Sequence, residues 1–103
     1  MEIAYFNGSF LPKDQIHISP DDRGFLFADG IYEVIRWYEG FFFDMEGHML
    51  RMKRSMREIR VSWPEADSFP SVAHDLIVQN NLQDTPSLVY IEVTRGASPR
   101  SHA

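Results

Sequence analysis

Residues 31–60 read IYEVIRWYEGFFFDMEGHMLRMKRSMREIR, and two periodicities meet inside that stretch. Up to Tyr38 the residues are largely β-branched and aromatic, the composition of a strand over residues 31–38. Glu39-Gly40 turns this strand toward a second extended run at residues 41–43. From Asp44 the spacing changes. Met45, Met49, Met52, Met56 and Ile59 follow at intervals of four, three, four and three, one apolar stripe along a helix over residues 44–60.

Toward the N-terminus, residues 3–6 and 9–11 flank Asn7-Gly8, a dipeptide that tolerates the positive φ values of a type I′ hairpin turn. Residues 17–30 carry Pro20, Gly24, Gly30 and four charged side chains, a mixture that predicts a loop or short turns. Toward the C-terminus, Phe69, Val72, Ala73, Leu76 and Ile77 predict a second helix over residues 69–82. Ser68 is its expected N-cap, and Asn80-Asn81 supplies the left-handed stop. Asp84-Thr85-Pro86 then turns into a last strand over residues 87–94, marked by Val89, Ile91 and Val93. The order predicts an α+β fold of two layers, an antiparallel sheet with two helices packed on one face.

The 103 residues contain no internal repeat, low-complexity tract or Pro/Gly-rich linker, so one domain is expected. With 44% hydrophobic and 24% charged residues the composition is that of a folded chain. Zero cysteines exclude a disulfide scaffold and any thiolate nucleophile or metal ligand. A net charge of −5 argues against nucleic acid or an anionic membrane as partner. No apolar run approaches the ~18 residues of a membrane span. A cytoplasmic location is the expectation. The charge is uneven: residues 44–60 hold five basic against three acidic residues, +2 in a chain whose remainder is −7.

Three places could carry chemistry. On the helix over residues 44–60, His48, Arg51 and Ser55 fall on one flank of the methionine stripe, where a guanidinium reaches a cleft while its stem packs. Arg suits phosphate there, because its planar fork makes two charge-assisted hydrogen bonds; the plainer reading is a solvated basic face. On the strand over residues 31–38, Tyr32, Val34, Arg36 and Tyr38 share one face and Ile31, Glu33, Ile35 and Trp37 the other. Either face carries a charge among apolar groups, which a core avoids unless the charge has a partner. Either a strand end reaches solvent, or Tyr32 and Arg36, or Glu33, line a polar pocket. After Thr94, Arg95, Arg100 and His102 crowd together with Gly96 and Pro99 and no acidic residue. That segment is a basic terminus or an anion-binding loop. The four histidines have no metal-ligand spacing, so no metal site is expected, and no strand–elbow–helix nucleophile motif is present.

Taken in order, Asp22-Arg23-Gly24-Phe25, Phe27, Asp29-Gly30, Tyr32-Glu33-Val34, Arg36, Gly40, Phe43, His48, Arg51 and Ser55 resemble the N-terminal domain of the class IV pyridoxal-phosphate aminotransferases. The resemblance runs from about Tyr5 to the last residue. Arg95-Gly96, then Arg100 and His102, resembles the carboxylate-trap loop of the D-amino-acid aminotransferases in that group.

The resemblance implies a pyridoxal 5′-phosphate cofactor whose phosphate is held by Arg51. It implies a substrate α-carboxylate held by Tyr32, Arg100 and His102, with the trap loop reaching into the partner subunit of a homodimer. The substrates implied are a D-amino acid and a 2-oxo acid. A branched-chain aminotransferase, an aminodeoxychorismate lyase, or a non-catalytic domain keeping the fold for dimerisation or ligand binding are the alternatives. Two departures stand out. Ala28 occupies a position where the subgroup has Gly. The family's cofactor-bearing Lys and the carboxylate facing the pyridine nitrogen belong to a C-terminal domain beyond residue 103, since Lys13 and Lys53 match neither position. Residues 1–103 are thus expected to be a small N-terminal domain, inactive by itself.

Overall fold

Asn7 and Gly8 turn as their sequence predicts. In the computed structural model, which describes residues 1–98, both have positive φ (48° and 93°). They join β1 (Ile3–Phe6) to β2 (Ser9–Pro12) in an antiparallel hairpin. The segment expected to be loop contains one short helix, α1 (Arg23–Phe27). Asp22 Oδ1 accepts the Gly24 N–H at 2.8 Å to start it, and Ala28 in the left-handed region (φ 52°) ends it. Five residues are too few to show a helical period, so composition alone reads as loop.

The long strand follows as β3 (Gly30–Tyr38), turned back at Gly40 into the two-residue β4 (Phe41–Phe42). The methionine stripe forms α2 (Met45–Ile59). Its ends fall one residue inside the expected bounds, because Asp44 and Arg60 are both left-handed caps (φ 53° and 57°). Asp44 Oδ1 accepts the Gly47 N–H. The next helix is α3 (Phe69–Gln79), three residues shorter than expected: Asn80 leaves the helical region and Asn81 takes φ 56°. Ser68 is not an N-cap in the hydrogen-bonding sense. Its hydroxyl donates to the Glu65 carbonyl (2.6 Å) within a short 3-10 turn, and Pro70 removes one N–H that a cap would serve.

The last strand, β5 (Ser87–Thr94), pairs antiparallel along β3, from Gly30↔Thr94 to Trp37↔Ser87. This is the α+β architecture expected, with its strands divided into two sheets: β1-β2, and β4-β3-β5. The period of two sends Glu33, Ile35 and Trp37 inward, together with Val89 of β5. Met52 and Met56 of α2 and Phe69, Ala73 and Ile77 of α3 close over that face, making one core on one side of the larger sheet. Trp37 is buried with its indole N–H donated to the Gln83 carbonyl at 3.0 Å, so its polar atom is satisfied. An isolated two-stranded hairpin is marginal in water. Here β1 is tied to the end of α3: Asn80 accepts from the Ile3 N–H (2.8 Å) and donates to the Ile3 carbonyl (2.9 Å).

Gly30 is required where α1 gives way to β3, since a Cβ there would lie 2.7 Å from the Val93 carbonyl oxygen. Ala28, two residues earlier, is the opposite case: a side chain where positive φ is demanded. A left-handed Ala costs roughly 1–2 kcal/mol, and Gly returns part of that gain through its entropy in the unfolded chain. Ala28→Gly is therefore expected to stabilise the fold by about 0.5–1 kcal/mol, read from the midpoint of urea unfolding.

Candidate functional site

Glu33 is the charged residue that β3 turns toward the core, and it is 6% exposed. A carboxylate there requires compensation. The flank of α2 supplies it. Arg51 Nε donates to Oε2 (2.8 Å) and Arg51 Nη2 to Oε1 (2.6 Å), a two-point fork, while His48 Nδ1 lies 2.7 Å from Oε1. A carboxylate only accepts, so His48 carries its proton on Nδ1 and donates. The 3.4 Å approach of Arg51 Nη2 to His48 Nδ1 is then a contact between two donors. His48 and Arg51 stand one helical turn apart, which is why both reach one carboxylate. The Arg51 hydrogen bonds, aided by His48, outweigh desolvation and hold the Glu33 carboxyl below its ordinary range; the same bonds push the Arg51 guanidinium up.

Arg51 is not consumed by this pairing. Its side chain is 57% exposed, and it lines an open groove of about 330 Å³ with Gly47, Leu50, Arg54 and Arg57. Arg54 and Arg57 are exposed on the same side of α2. The groove is cationic.

Tyr32 points the other way. It lies on the uncovered face of β3, 62% exposed, its ring stacked on Tyr90 of β5 at 5.6 Å. Arg36 shares that face, its guanidinium 5.9 Å from the Tyr38 ring centroid. Leu88, Phe41 and Phe43 are exposed as well. Tyr32 and Arg51 are thus brought to opposite faces of one strand. Between them, β4 pairs β3 at Trp37 and Tyr38 and the Phe43 N–H donates to the Arg36 carbonyl (2.9 Å), so among the described residues no strand covers that edge from Gly30 to Ile35. Arg100 and His102 lie outside the described residues.

Arg95 departs from its expectation. The sequence sets it in a cluster without an acid, yet Asp29 neutralises it: Arg95 Nε donates to Oδ2 (2.5 Å) and Nη2 to Oδ1 (3.1 Å). Arg95 also donates to the Ile59 and Arg60 carbonyls at the end of α2. Arg23 Nε adds a third bond to Asp29 (3.2 Å). Arg95 first, then Arg23, hold the Asp29 carboxyl below its usual range. The pairing follows from strand register, which the sequence does not announce: Gly30 faces Thr94, which sets Asp29 beside Arg95.

Residues 30–103 match the sequence model of the family described as amino-transferase class IV. The chain belongs to the class IV aminotransferases. This class IV chain is 36% identical over 104 residues to the D-alanine aminotransferase of Staphylococcus haemolyticus, a match covering 100% of this chain and 36% of that protein. It is 37% identical over 99 residues to the D-alanine aminotransferase of Bacillus licheniformis, covering 94% and 34%. Among solved structures, the branched-chain amino acid aminotransferase from Escherichia coli matches with a TM-score of 0.85 and 21% identity, covering 92% of this chain and 33% of that one. At that identity the likeness is one of fold. The chain spans about a third of the length of the relatives it matches.

Two lowered carboxyls give the class IV chain a directional acid sensitivity. A depressed folded pKa contributes stability that is present above the unfolded value and lost as pH falls through the folded one. Melting temperature is therefore expected to be level from about pH 7 to pH 5 and to fall below about pH 4. Glu33→Gln should lower stability at pH 7, by roughly 1.5–3 kcal/mol for the lost charge-assisted bonds, and flatten the acid limb. Circular dichroism melts across pH check both.

Proposed function

We propose that the protein carrying this chain is a pyridoxal-phosphate-dependent aminotransferase that moves an amino group between a D-amino acid and a 2-oxo acid. Residues 1–103 form its small N-terminal domain. The observation that carries the reading is Arg51: a guanidinium with one edge occupied by a buried carboxylate and the other open to a groove bearing two further arginines. That donor set fits a phosphate dianion. When bound, the cofactor supplies an electron-accepting ring that stabilises negative charge at the substrate α-carbon.

Arg51 binds the phosphate and fixes the cofactor's position. Tyr32 donates its phenolic hydroxyl to the substrate α-carboxylate, with Arg100 and His102, from the sequence after Gly96, completing the clamp. The open edge of β3 supports this division, because a ligand lying along it meets Arg51 from one face and Tyr32 from the other. The exposed Tyr32, Tyr90, Leu88, Phe41 and Phe43 support a further domain seated on that sheet face. Neither lysine is placed to hold the cofactor covalently. Lys13 pairs with Glu2 at the hairpin end, and Lys53 pairs with Asp67. The reading includes a cytoplasmic homodimer, and no helix of the described residues is long and apolar enough to cross a membrane.

The D-amino-acid reading follows the D-alanine aminotransferases at 36% and 37% identity. A branched-chain aminotransferase is the second reading, and a protein of that name shares the fold. Turnover of D-alanine against L-leucine by the intact protein, each with 2-oxoglutarate, separates them; activity on L-leucine alone would replace the first with the second. The isolated 103-residue chain is expected to turn over neither.

Residue roles separate in the same assay. Removing one partner of a desolvated charge pair costs roughly 2–5 kcal/mol, and each ~1.4 kcal/mol is tenfold. Arg100→Ala is expected to lower kcat/KM by roughly 30-fold to a few thousandfold, alike for every amino acid tried. Arg51→Ala is expected to loosen the cofactor instead. Release of cofactor by Arg100→Ala with an unchanged KM for D-alanine would reverse the two assignments.

A further inference from the structure

We infer that Glu33 is a positioning residue for the phosphate anchor: its carboxylate decides which edge of the Arg51 guanidinium stays open and holds that edge in place before a ligand arrives. The inference rests on the proposed assignment of Arg51 to the cofactor phosphate and deepens it.

The geometry is specific. A guanidinium has five N–H donors in a fixed plane. Glu33 takes Nε–H and one Nη2–H, the side-on edge. What remains is the end-on edge, both Nη1–H groups and the outer Nη2–H, which is itself a two-point fork suited to phosphate. The carboxylate is no loose partner. Its backbone sits in the β3–β5 ladder opposite Ile91, and its Oε1 also accepts from His48. Three donors therefore fix both oxygens, and through them the guanidinium plane takes its orientation from the sheet. Without Glu33, a half-exposed Arg side chain would have to be frozen at the moment of binding.

A plain core role explains this residue poorly. An aliphatic side chain at position 33 would bury as well without the desolvation penalty of an ion. Glu33 does carry a negative charge that opposes the phosphate. That opposition is weak, because the charge is already answered by Arg51, with a hydrogen bond from His48, and the groove opens to screening solvent. Losing orientation is the larger effect, about tenfold in affinity for one long side chain left to be ordered.

The test is a double-mutant cycle in the intact protein, read as equilibrium binding of pyridoxal 5′-phosphate and, separately, of pyridoxal without phosphate. Glu33→Gln is expected to weaken the phosphorylated form about tenfold and to leave pyridoxal within twofold. In an Arg51→Lys background, where no fork remains to be oriented, Glu33→Gln is expected to cost less than twofold. A general structural defect would instead persist in that background and weaken pyridoxal equally, and either result overturns the inference. If Glu33→Gln binds pyridoxal 5′-phosphate like the parent while Arg51→Ala weakens it, positioning fails and the phosphate assignment stands. If Arg51→Ala binds like the parent, the assignment itself fails and takes the inference with it. Should Glu33→Gln not fold, His48→Gln completes the same cycle with an expected loss of about threefold, and no loss there overturns the positioning role.

Discussion

A carboxylate buried on the core side of the central strand has to be answered by a cation, and the arrangement of the larger layer follows from that requirement. Alternation along β3 leaves no choice of face. If Ile35 and Trp37 are to be buried, Glu33 is buried with them, because a slip of one residue would expose all three. The answering groups must then come from the element packed above. His48 and Arg51, one turn apart on α2, meet Glu33 only if the helix is rotated so that Met52 and Met56 point into the same core. One interaction thus links strand register, helix rotation and the direction in which Arg51 is aimed.

The far end of α2 is tied to the same ladder by different chemistry. Helix C-termini leave carbonyls without partners, and a cation there is favoured by the helix dipole. Arg95, just past β5, donates to the Ile59 and Arg60 carbonyls while Asp29, just before β3, holds its guanidinium. The Arg23 N–H donates to the Gly96 carbonyl at 2.8 Å, which joins α1 to the same junction. Asp29 collects two arginines from distant parts of the chain, so the exit of β5 is held from both sides. The chain beyond Gly96 leaves a fixed point. Arg95 is therefore part of the frame, its positive charge answered by Asp29.

What could be read from the sequence divides along physical lines. The switch from a period of two to a period near 3.6 between Tyr38 and Met45 is a local property, and it located β3 and α2 to within one residue. Asn7-Gly8 and Asn80-Asn81 were legible because positive φ has few tolerant residues. The division of β3 into two faces was legible too, but each face carried a charge, so which of Arg36 and Glu33 would be buried and need a partner was not. Nor was the identity of that partner, since it depends on the rotation of a helix that packing sets. Asp29 and Arg95 are separated by 66 positions, and nothing local to either announces the other. Ser68 misled because a nearby carbonyl competes for its hydroxyl. Ala28 had a known meaning only once its φ was known: the resemblance to a glycine position became a statement about backbone strain.

The fold is shared between D-alanine aminotransferase relatives at 36–37% identity and a branched-chain aminotransferase at 21%. A frame common to such relatives cannot by itself choose a substrate. Selection has to reside in side chains the frame leaves free. Among the described residues, the side chains left free beside Tyr32 include Arg36 and Tyr90 on the uncovered sheet face. Arg51 stands on the covered side of β3, held by a carboxylate that the sheet fixes. A substitution on the open face changes neither the core packing nor the Glu33 fork, because successive residues of a strand point in opposite directions. The covered and the uncovered sides of β3 can therefore vary separately, which on the proposed reading separates phosphate anchoring from substrate recognition.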